Sequence, residues 1–254
     1  MRKLAFINEK GGVGKTTSTV NVGGAIAESG KKVLMVDIDK QCYLTRFTGL
    51  RKGVDYAEDK TVNELLHGTA TSSEVIVQRS KNLWVIPSSE ALTESEYGLF
   101  LKMGRERLLA NALADVEKFD YILLDCPPSL GLMTVNALAY ASEVVVVMQP
   151  EPSSLQGFDQ LLKTFTAVKG AINADIDITG VICSMIERKK VHSTIYDHLK
   201  ANLGDKLFKT TIPSRAAFIE ASGQGKTMGE YKPSSDEAKL VRQLAAEVMK
   251  RKPK

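Results

Sequence analysis

The feature that most constrains the fold is the glycine-rich stretch NEKGGVGKTT at residues 8–17. It follows an apolar run of strand character at residues 3–7. After it, residues 16–28 mix small and aliphatic side chains at helical spacing, and Gly30 marks the end of that helix. A glycine-rich turn between a strand and a helix directs backbone N–H groups towards an anion. The sequence therefore predicts a phosphate-binding loop.

The residues inside this loop have distinct expected roles. Lys15 is expected to reach the β- and γ-phosphates of a nucleotide, and the Thr16 hydroxyl is expected to bind Mg²⁺. Glu9 occupies the position where the usual motif has its first glycine, and Lys10 follows it. The predicted nucleotide contacts are Lys10, Gly11, Gly12, Val13, Gly14, Lys15, Thr16 and Thr17.

Length and composition are those of a globular protein with a large core. The chain has 254 residues and no stretch that resembles an interdomain linker, so we expect one domain over residues 1–254. Lysine and arginine exceed aspartate and glutamate by 34 to 30, which gives a net charge of only +4. So mild a surplus says little about polyanion binding unless the cations cluster.

Cysteine spacing and hydropathy argue against a disulfide-bonded, a cysteine–metal and a membrane-spanning protein. Cys42, Cys126 and Cys183 are far apart and form no C-x-x-C pair, which argues against disulfides and cysteine metal sites and fits a reducing compartment. No apolar run approaches the roughly 20 residues of a membrane span. A strand predicted directly after the N-terminus leaves no room for a signal peptide.

Two further apolar runs end in acidic residues. Residues 32–39 read as a buried strand that closes on Asp37 and Asp39, and residues 120–125 read as another that closes on Asp125. Ligands of open α/β sheets gather at the carboxyl ends of the strands, so these acids should lie beside the phosphate loop. A carboxylate placed like Asp125 commonly holds the Mg²⁺ shell.

The remaining pattern alternates between strands and helices. Strands are predicted at 82–88, 143–148 and 178–186, and helices at 61–68, 90–117, 155–172 and 234–252. Residues 44–60 have no clear period and are predicted to be mostly loop.

Three of these motifs together resemble one family. KGGVGKTT resembles the deviant Walker A motif of the ParA/MinD ATPases, DIDKQ resembles their D-x-D-P-Q motif, and DCPPSLG resembles their D-x-P-P segment. Lys40 replaces the usual proline of the second motif, which removes no chemical group. The resemblance implies a doubly wound α/β fold of the P-loop NTPase type, with a mostly parallel sheet and helices on both faces.

The resemblance also implies roles for residues at matching positions. Lys10 would reach across a dimer interface to the partner's nucleotide, and Glu151 would help to position it. Asp39 would orient or activate the attacking water, and Asp37 would support the Mg²⁺ shell. Pro213 belongs to a segment, residues 211–221, that would border the adenine site. The implied cofactors are ATP and Mg²⁺.

A cluster of cations suggests a second surface. Arg188, Lys189 and Lys190 are consecutive, and such clusters can neutralise phosphates without reading sequence, although most charge runs are only solvated faces. ParA-type members bind non-specific DNA through basic residues of this C-terminal third. They often carry an arginine where this chain has Ala217, and Arg215 is the candidate substitute.

The expected function is that of a ParA-like ATPase for plasmid or chromosome partition. It would form a homodimer on ATP, bind non-specific DNA, associate with the nucleoid in the cytoplasm and respond to a ParB-like partner. The alternatives are a MinD-like regulator of division-site placement and a positioning ATPase for a protein cargo. Against the first, the apolar face of the helix at 234–252 is small and aliphatic, so we expect it to dock on the core. A scaffold that never hydrolyses ATP is disfavoured by Asp39 and Asp125.

Overall fold

The computed structural model describes residues 1–251, apart from the side chain of Leu155. Seven strands form one sheet in the order β3-β4-β2-β5-β1-β6-β7. The strands are β1 (Arg2–Ile7), β2 (Val33–Asp37), β3 (Val77–Ser80), β4 (Leu83–Ile86), β5 (Tyr121–Asp125), β6 (Glu143–Met148) and β7 (Asp177–Cys183). Every neighbouring pair is parallel except β3 with β4. This arrangement confirms the predicted doubly wound, mostly parallel sheet.

The strand order brings the predicted acids to the phosphate loop. β5 lies between β1 and β2, and in this register Asp125 is paired with both Phe6 and Asp37. The loop that follows β1 and the turn that follows β2 therefore leave the sheet at the same edge. Because all three strands run in parallel, their carboxyl ends form a single site.

Twelve α-helices connect and cover the strands of the described chain. They are α1 (Lys15–Glu28), α2 (Tyr43–Phe47), α3 (Val62–His67), α4 (Ser72–Val75), α5 (Leu92–Phe100), α6 (Leu108–Ala112), α7 (Leu132–Tyr140), α8 (Pro152–Ala171), α9 (Lys190–Leu203), α10 (Ala216–Gly223), α11 (Met228–Tyr231) and α12 (Asp236–Lys250).

Alternate residues of the central strands enter two separate cores. Leu4 and Phe6 of β1 pack in a core that also contains residues of α1, α10 and α12. Ala5 and Ile7 pack in a second core with residues of the helices α3 to α9. Successive side chains of a strand point to opposite faces, so the continuous apolar character of β1 reflects burial on both sides of the sheet.

Several boundaries differ from the sequence-based expectation. Part of the predicted loop at 44–60 is the helix α2, which is only five residues long and thus too short to show a helical period. The predicted helix at 90–117 was wrong as one element, because Gly104 adopts a left-handed φ of 67° and separates α5 from α6. The edge strand β3 and the helix α7 were not predicted. The predicted end of the last helix at Lys252 lies outside the described residues.

The last helix docks on the body of the protein, as predicted. Val241, Leu244 and Val248 of α12 are buried in the core that it shares with α1. The Arg2 guanidinium donates to the carbonyls of Val248 at 2.9 Å and Met249 at 3.1 Å, which satisfies the carboxyl end of the helix. Within residues 1–251, none of the helices combines the length and apolar character needed to cross a membrane.

Candidate functional site

Two glycines shape the loop between β1 and α1. Gly12 and Gly14 have φ values of 73° and 82°, a conformation that costs little only for glycine. The Ser184 hydroxyl donates to the carbonyl of Val13, and the Asn8 side chain donates to the Val147 carbonyl at 2.6 Å. These contacts fix the loop against the ends of β6 and β7, so its backbone is held open for an anion.

The Lys15 side chain folds back over the loop. Its ammonium group donates to the carbonyl of Lys10 at 3.1 Å, and the residue is buried. Burial lowers the pKa of Lys15, while the nearby carboxylate of Asp125 acts in the opposite direction. A buried ammonium held beside the phosphate-loop backbone is well placed to contact a phosphate.

Asp125 joins the end of β5 to the first turn of α1. Its carboxylate accepts hydrogen bonds from the hydroxyls of Thr16 at 2.7 Å and Thr19 at 3.1 Å. Burial raises the pKa of Asp125 to about 7, although these hydrogen bonds and Lys15 lower it. The side-chain oxygen atoms of Thr16 and Asp125 are ligands that suit Mg²⁺, whose charge would favour the ionised carboxylate.

Asp37 is fully buried and holds the turn that leads into α2. It accepts hydrogen bonds from the Thr45 backbone N–H at 2.9 Å and the Thr45 hydroxyl at 2.7 Å. Its other carboxylate oxygen accepts from the Asp39 N–H at 3.2 Å. Burial, and then the neighbouring Asp125, raise the pKa of Asp37 to about 8. The structure thus shows Asp37 supporting the Asp39 turn, and its part in the Mg²⁺ shell stays a prediction.

Asp39 faces the cleft in front of the phosphate loop. One carboxylate oxygen accepts from the Gln41 N–H at 3.0 Å, and Asp39 lines a cleft of about 570 Å³ together with Lys15 and Thr16. A carboxylate beside the phosphate loop can accept a proton from a water or orient it. The predicted neighbourhood of Asp39 and Lys15 is therefore present.

Lys10 lies at the rim of the cleft, next to Gly11, which lines it. Its ammonium group is 2.6 Å from the Glu151 carboxylate and 3.1 Å from the Ser153 hydroxyl. The ion pair lowers the pKa of Glu151. About a third of each of these two charged side chains is exposed, so Lys10 is accessible to a second molecule.

A more apolar cavity adjoins the phosphate cleft. Both are lined by Gly14, Thr17, Phe47 and Met185, and the apolar side continues to Ile212, Pro213, Arg215 and Phe218. The predicted Pro213 and Arg215 therefore line the adjoining cavity, together with Gly14 and Thr17 of the phosphate-loop segment. Sequence reasoning missed Phe47, Met185 and Thr19, because none of them belongs to a motif and only the fold brings them to the site.

The basic run lies outside this cleft. Arg188, Lys189 and Lys190 are exposed at the start of α9, where they line a separate hollow. Lys189 pairs with Glu187 at 2.7 Å, and this contact raises the pKa of Lys189. The structure brings these cations together on the surface and does not place them in contact with the nucleotide cleft.

Comparison with known proteins shows relatives that match nearly the whole chain. The AAA domain family matches residues 1–178. The sporulation initiation inhibitor protein Soj of Bacillus subtilis is 39% identical over 96% of this chain and 97% of its own length. The chromosome-partitioning ATPase Soj of Treponema pallidum is 37% identical over 98% of both chains.

The chain belongs to the ParA/MinD family of ATPases. Among solved structures, cobyrinic acid a,c-diamide synthase from Mycobacterium smegmatis, with an ATP analogue and magnesium bound, is 30% identical with a TM-score of 0.82. That match covers 97% of this chain and 93% of the other. This member of the ParA/MinD family is thus an ATPase that uses ATP and Mg²⁺, and it is a ParA-like partition ATPase.

Proposed function

We propose that this protein moves DNA by cycling between an ATP-bound dimer on DNA and a released form. ATP would join two copies face to face across their phosphate loops, and the dimer would bind the nucleoid in the cytoplasm without regard to sequence. Hydrolysis, stimulated by a ParB-like partner, would release it. The chain would act as one domain over residues 1–254, and its cargo would be a plasmid or a chromosome.

The position of Lys10 is the observation that carries the proposal. In a single copy, the Lys15 ammonium already lies within the phosphate loop, whereas Lys10 is held at the rim by Glu151. An accessible cation at the rim of a phosphate site can serve a nucleotide bound to a second copy. A dimer assembled in this way would contain two phosphate sites and four loop lysines.

The roles within one site follow from the contacts. Lys15 and the loop N–H groups would bind the β- and γ-phosphates, and Thr16 with Asp125 would hold Mg²⁺, which neutralises phosphate charge. Asp39 would orient the attacking water, and Asp37 would keep the Asp39 turn in place. Pro213 and the apolar cavity around it would receive the adenine base.

Binding of DNA would depend on the exposed cations of the C-terminal third. Arg188, Lys189 and Lys190 form one patch on each copy, so an ATP-dependent dimer would present two patches. Arg215 lies at the mouth of the adenine cavity, where its side chain is 57% exposed and only 4.0 Å from Glu237. It is a second candidate for contact with DNA phosphates.

A salt titration of DNA binding tests this proposal. The double charge reversal Arg188→Glu with Lys189→Glu should weaken binding of the ATP-bound protein to two unrelated duplexes equally. The salt slope of log K should fall by roughly 0.9 for each DNA phosphate that the variant no longer neutralises. The matched control is Lys31→Glu with Lys32→Glu, another consecutive and exposed cation pair.

The outcomes separate the candidate functions. Equal affinity of the Arg188/Lys189 variant and wild type would contradict the assigned surface. If wild-type protein bound no duplex at low salt and instead bound anionic vesicles, the MinD-like function would replace the proposed one. If it bound DNA but its turnover responded only to a protein cargo factor, the positioning ATPase would be the better description.

A further inference from the structure

Arg79 connects the ends of two helices that border the nucleotide cleft. It lies in the edge strand β3. Its guanidinium donates to the Thr48 carbonyl at the end of α2 and, at 3.0 Å, to the Gly225 carbonyl just after α10. The carbonyls at the end of a helix lack partners within the helix and carry partial negative charge, so a cation suits both places. Arg79 therefore joins α2 to α10.

A β-bulge directs the Arg79 side chain towards this junction. Gln78 of β3 is paired with Trp84 of β4 and Ser80 with Leu83, so Arg79 is an extra residue in its strand. Bulges of this kind re-aim a side chain and recur next to active sites. The Arg79 side chain is only 23% exposed, in keeping with its contacts to the two helix ends.

The two segments that Arg79 joins are also in direct contact. Gly49 and Gly225 have left-handed φ values of 76° and 63°. A Cβ atom on Gly49 would lie 2.9 Å from the Gly225 carbonyl oxygen, and a Cβ atom on Gly225 would overlap the Gly49 backbone. Glycine at both positions allows the two backbones to approach this closely. We call this contact, together with the Arg79 hydrogen bonds to Thr48 and Gly225, the Arg79 clamp.

One side of the clamp continues into the turn that carries Asp39. Thr45 of α2 donates its N–H and its hydroxyl to Asp37, and Asp37 also accepts from the Asp39 N–H. The helix α2 has only five residues, too few to be stable by itself. The orientation of Asp39 therefore depends on the tertiary contacts that hold α2.

The other side of the clamp carries a wall of the apolar cavity. Phe218, Ile219 and Ser222 of α10 line this cavity, and Phe47 of α2 lines it as well. Phe47 directly precedes Thr48, which the clamp holds. A base bound in the cavity would thus contact both of the helices that the clamp joins.

We infer that Arg79 is a positioning residue through which the adenine base of ATP acts on Asp39. The inference rests on the proposed position of the base in the cavity around Pro213. The base would fix α10 against Phe47, and the clamp would hold α2 in the matching orientation. A triphosphate without a base would fill the phosphate loop and leave α2 unfixed. Among residues 1–251, Arg79 is not part of the lining of the cleft or of the cavity, so its effect would pass through α2.

Hydrogen exchange read by mass spectrometry tests the inference. In wild type, a non-hydrolysable ATP analogue should slow exchange of residues 8–20 and 43–50 at least about fivefold, and inorganic triphosphate should slow only residues 8–20. In Arg79→Ala the analogue should still protect residues 8–20 but change exchange of residues 43–50 by less than about twofold. Arg79→Lys should behave in the same way, because an ammonium group lacks the planar fork that reaches both carbonyls. The control is Arg51→Ala, at an arginine that is 69% exposed and pairs with Asp55 in its own turn.

Steady-state hydrolysis gives a second measurement. Arg79→Ala should lower kcat at least about tenfold, since a small displacement of Asp39 is costly. The KM for ATP should stay within about threefold, because the phosphate loop is unchanged. Wild-type kcat together with wild-type protection of residues 43–50 would overturn the inference. So would exchange that rises by the same factor with and without nucleotide, since Arg79 would then only stabilise α2.

A further variant separates this inference from the proposed base position. Ser222→Phe narrows the cavity and should weaken binding of the ATP analogue at least about tenfold, with triphosphate binding unchanged. Unchanged affinity for the analogue would refute the base position and the inference together. Weakened affinity in Ser222→Phe with full protection of residues 43–50 in Arg79→Ala would refute the inference alone. Circular dichroism melting checks that each variant is folded.

Discussion

Lys15 combines burial with a hydrogen bond to a single backbone carbonyl, so its charge is available to a phosphate. Lys15→Ala should reduce ATP affinity by about 10- to 150-fold, since a hydrogen bond to a charged group contributes roughly 1.5–3 kcal/mol. Titration with a fluorescent ATP analogue measures the change. Lys31→Ala, at an exposed lysine, is the control, and affinity within threefold of wild type in the Lys15 variant would contradict the assignment.

Asp39 is a group whose removal should separate binding from turnover. Its carboxylate lies in the cleft and, within residues 1–251, accepts a hydrogen bond only from the Gln41 N–H, so Asp39→Ala should leave the loop intact. ATP affinity should change by less than threefold while hydrolysis falls about 100-fold, within the range of general base catalysis. Phosphate release assays give the rate, and a wild-type rate in this variant would remove Asp39 from the mechanism.

Individual site residues could be predicted from the sequence where they belong to a motif of known chemistry. Lys15, Thr16 and Asp125 converge as expected, because the spacing within each motif and the sheet topology leave little choice. Thr19 and Thr45 could not be predicted, since a threonine among small residues carries no signal of its own. Only the pairing of strands shows that their hydroxyls face Asp125 and Asp37.

At the scale of elements, long segments were predictable and short ones were not. The helix α1 and the strands β1, β2, β5 and β6 were evident from apolar runs or helical spacing. The five-residue α2 is held by tertiary contacts, chiefly the bonds from Thr45 to Asp37, and not by its own propensity. Gly104 has a left-handed φ, so the helical backbone cannot continue from α5 into α6. A periodic apolar pattern does not reveal this break.

The docked helix α12 offers a test of packing. Leu244 is fully buried between α12 and the body of the protein, whereas the adjacent Gln243 is exposed. Leu244→Ala should lower the free energy of unfolding by about 2–5 kcal/mol, because apolar burial is reduced and a cavity forms. Urea denaturation compares it with Gln243→Ala, which should change stability by less than about 0.5 kcal/mol. Equal stability of the two variants would mean that α12 is not packed on the core in solution.

For the whole molecule, the sequence predicted that the nucleotide motifs converge at one edge of a parallel sheet, and the structure confirms it. The full strand order could not be predicted, because β3 has weak alternation and joins the sheet as an antiparallel edge. The register between non-consecutive strands likewise depends on long-range packing, which local spacing does not encode.

A substitution at Lys10 tests assembly, because in the single copy the Lys10 ammonium group binds Glu151 and Ser153. Lys10→Gln should keep ATP affinity within about threefold while reducing ATP-dependent dimer formation and hydrolysis at least about tenfold. Glu9→Gln, at the exposed neighbouring residue, is the control. Analytical ultracentrifugation with and without ATP reports the dimer. Unchanged association and turnover in the Lys10 variant would count against the face-to-face dimer.

The contact of Arg2 with the Val248 and Met249 carbonyls has a practical consequence for how the molecule can be handled. It places residues from both ends of the described chain at one corner, at the amino edge of the sheet where β1 starts. The phosphate loop lies at the opposite edge, where β1, β2 and β5 end. A tether or fluorescent protein attached at this corner would therefore lie at the edge opposite the cleft. The cleft would stay accessible to a second copy.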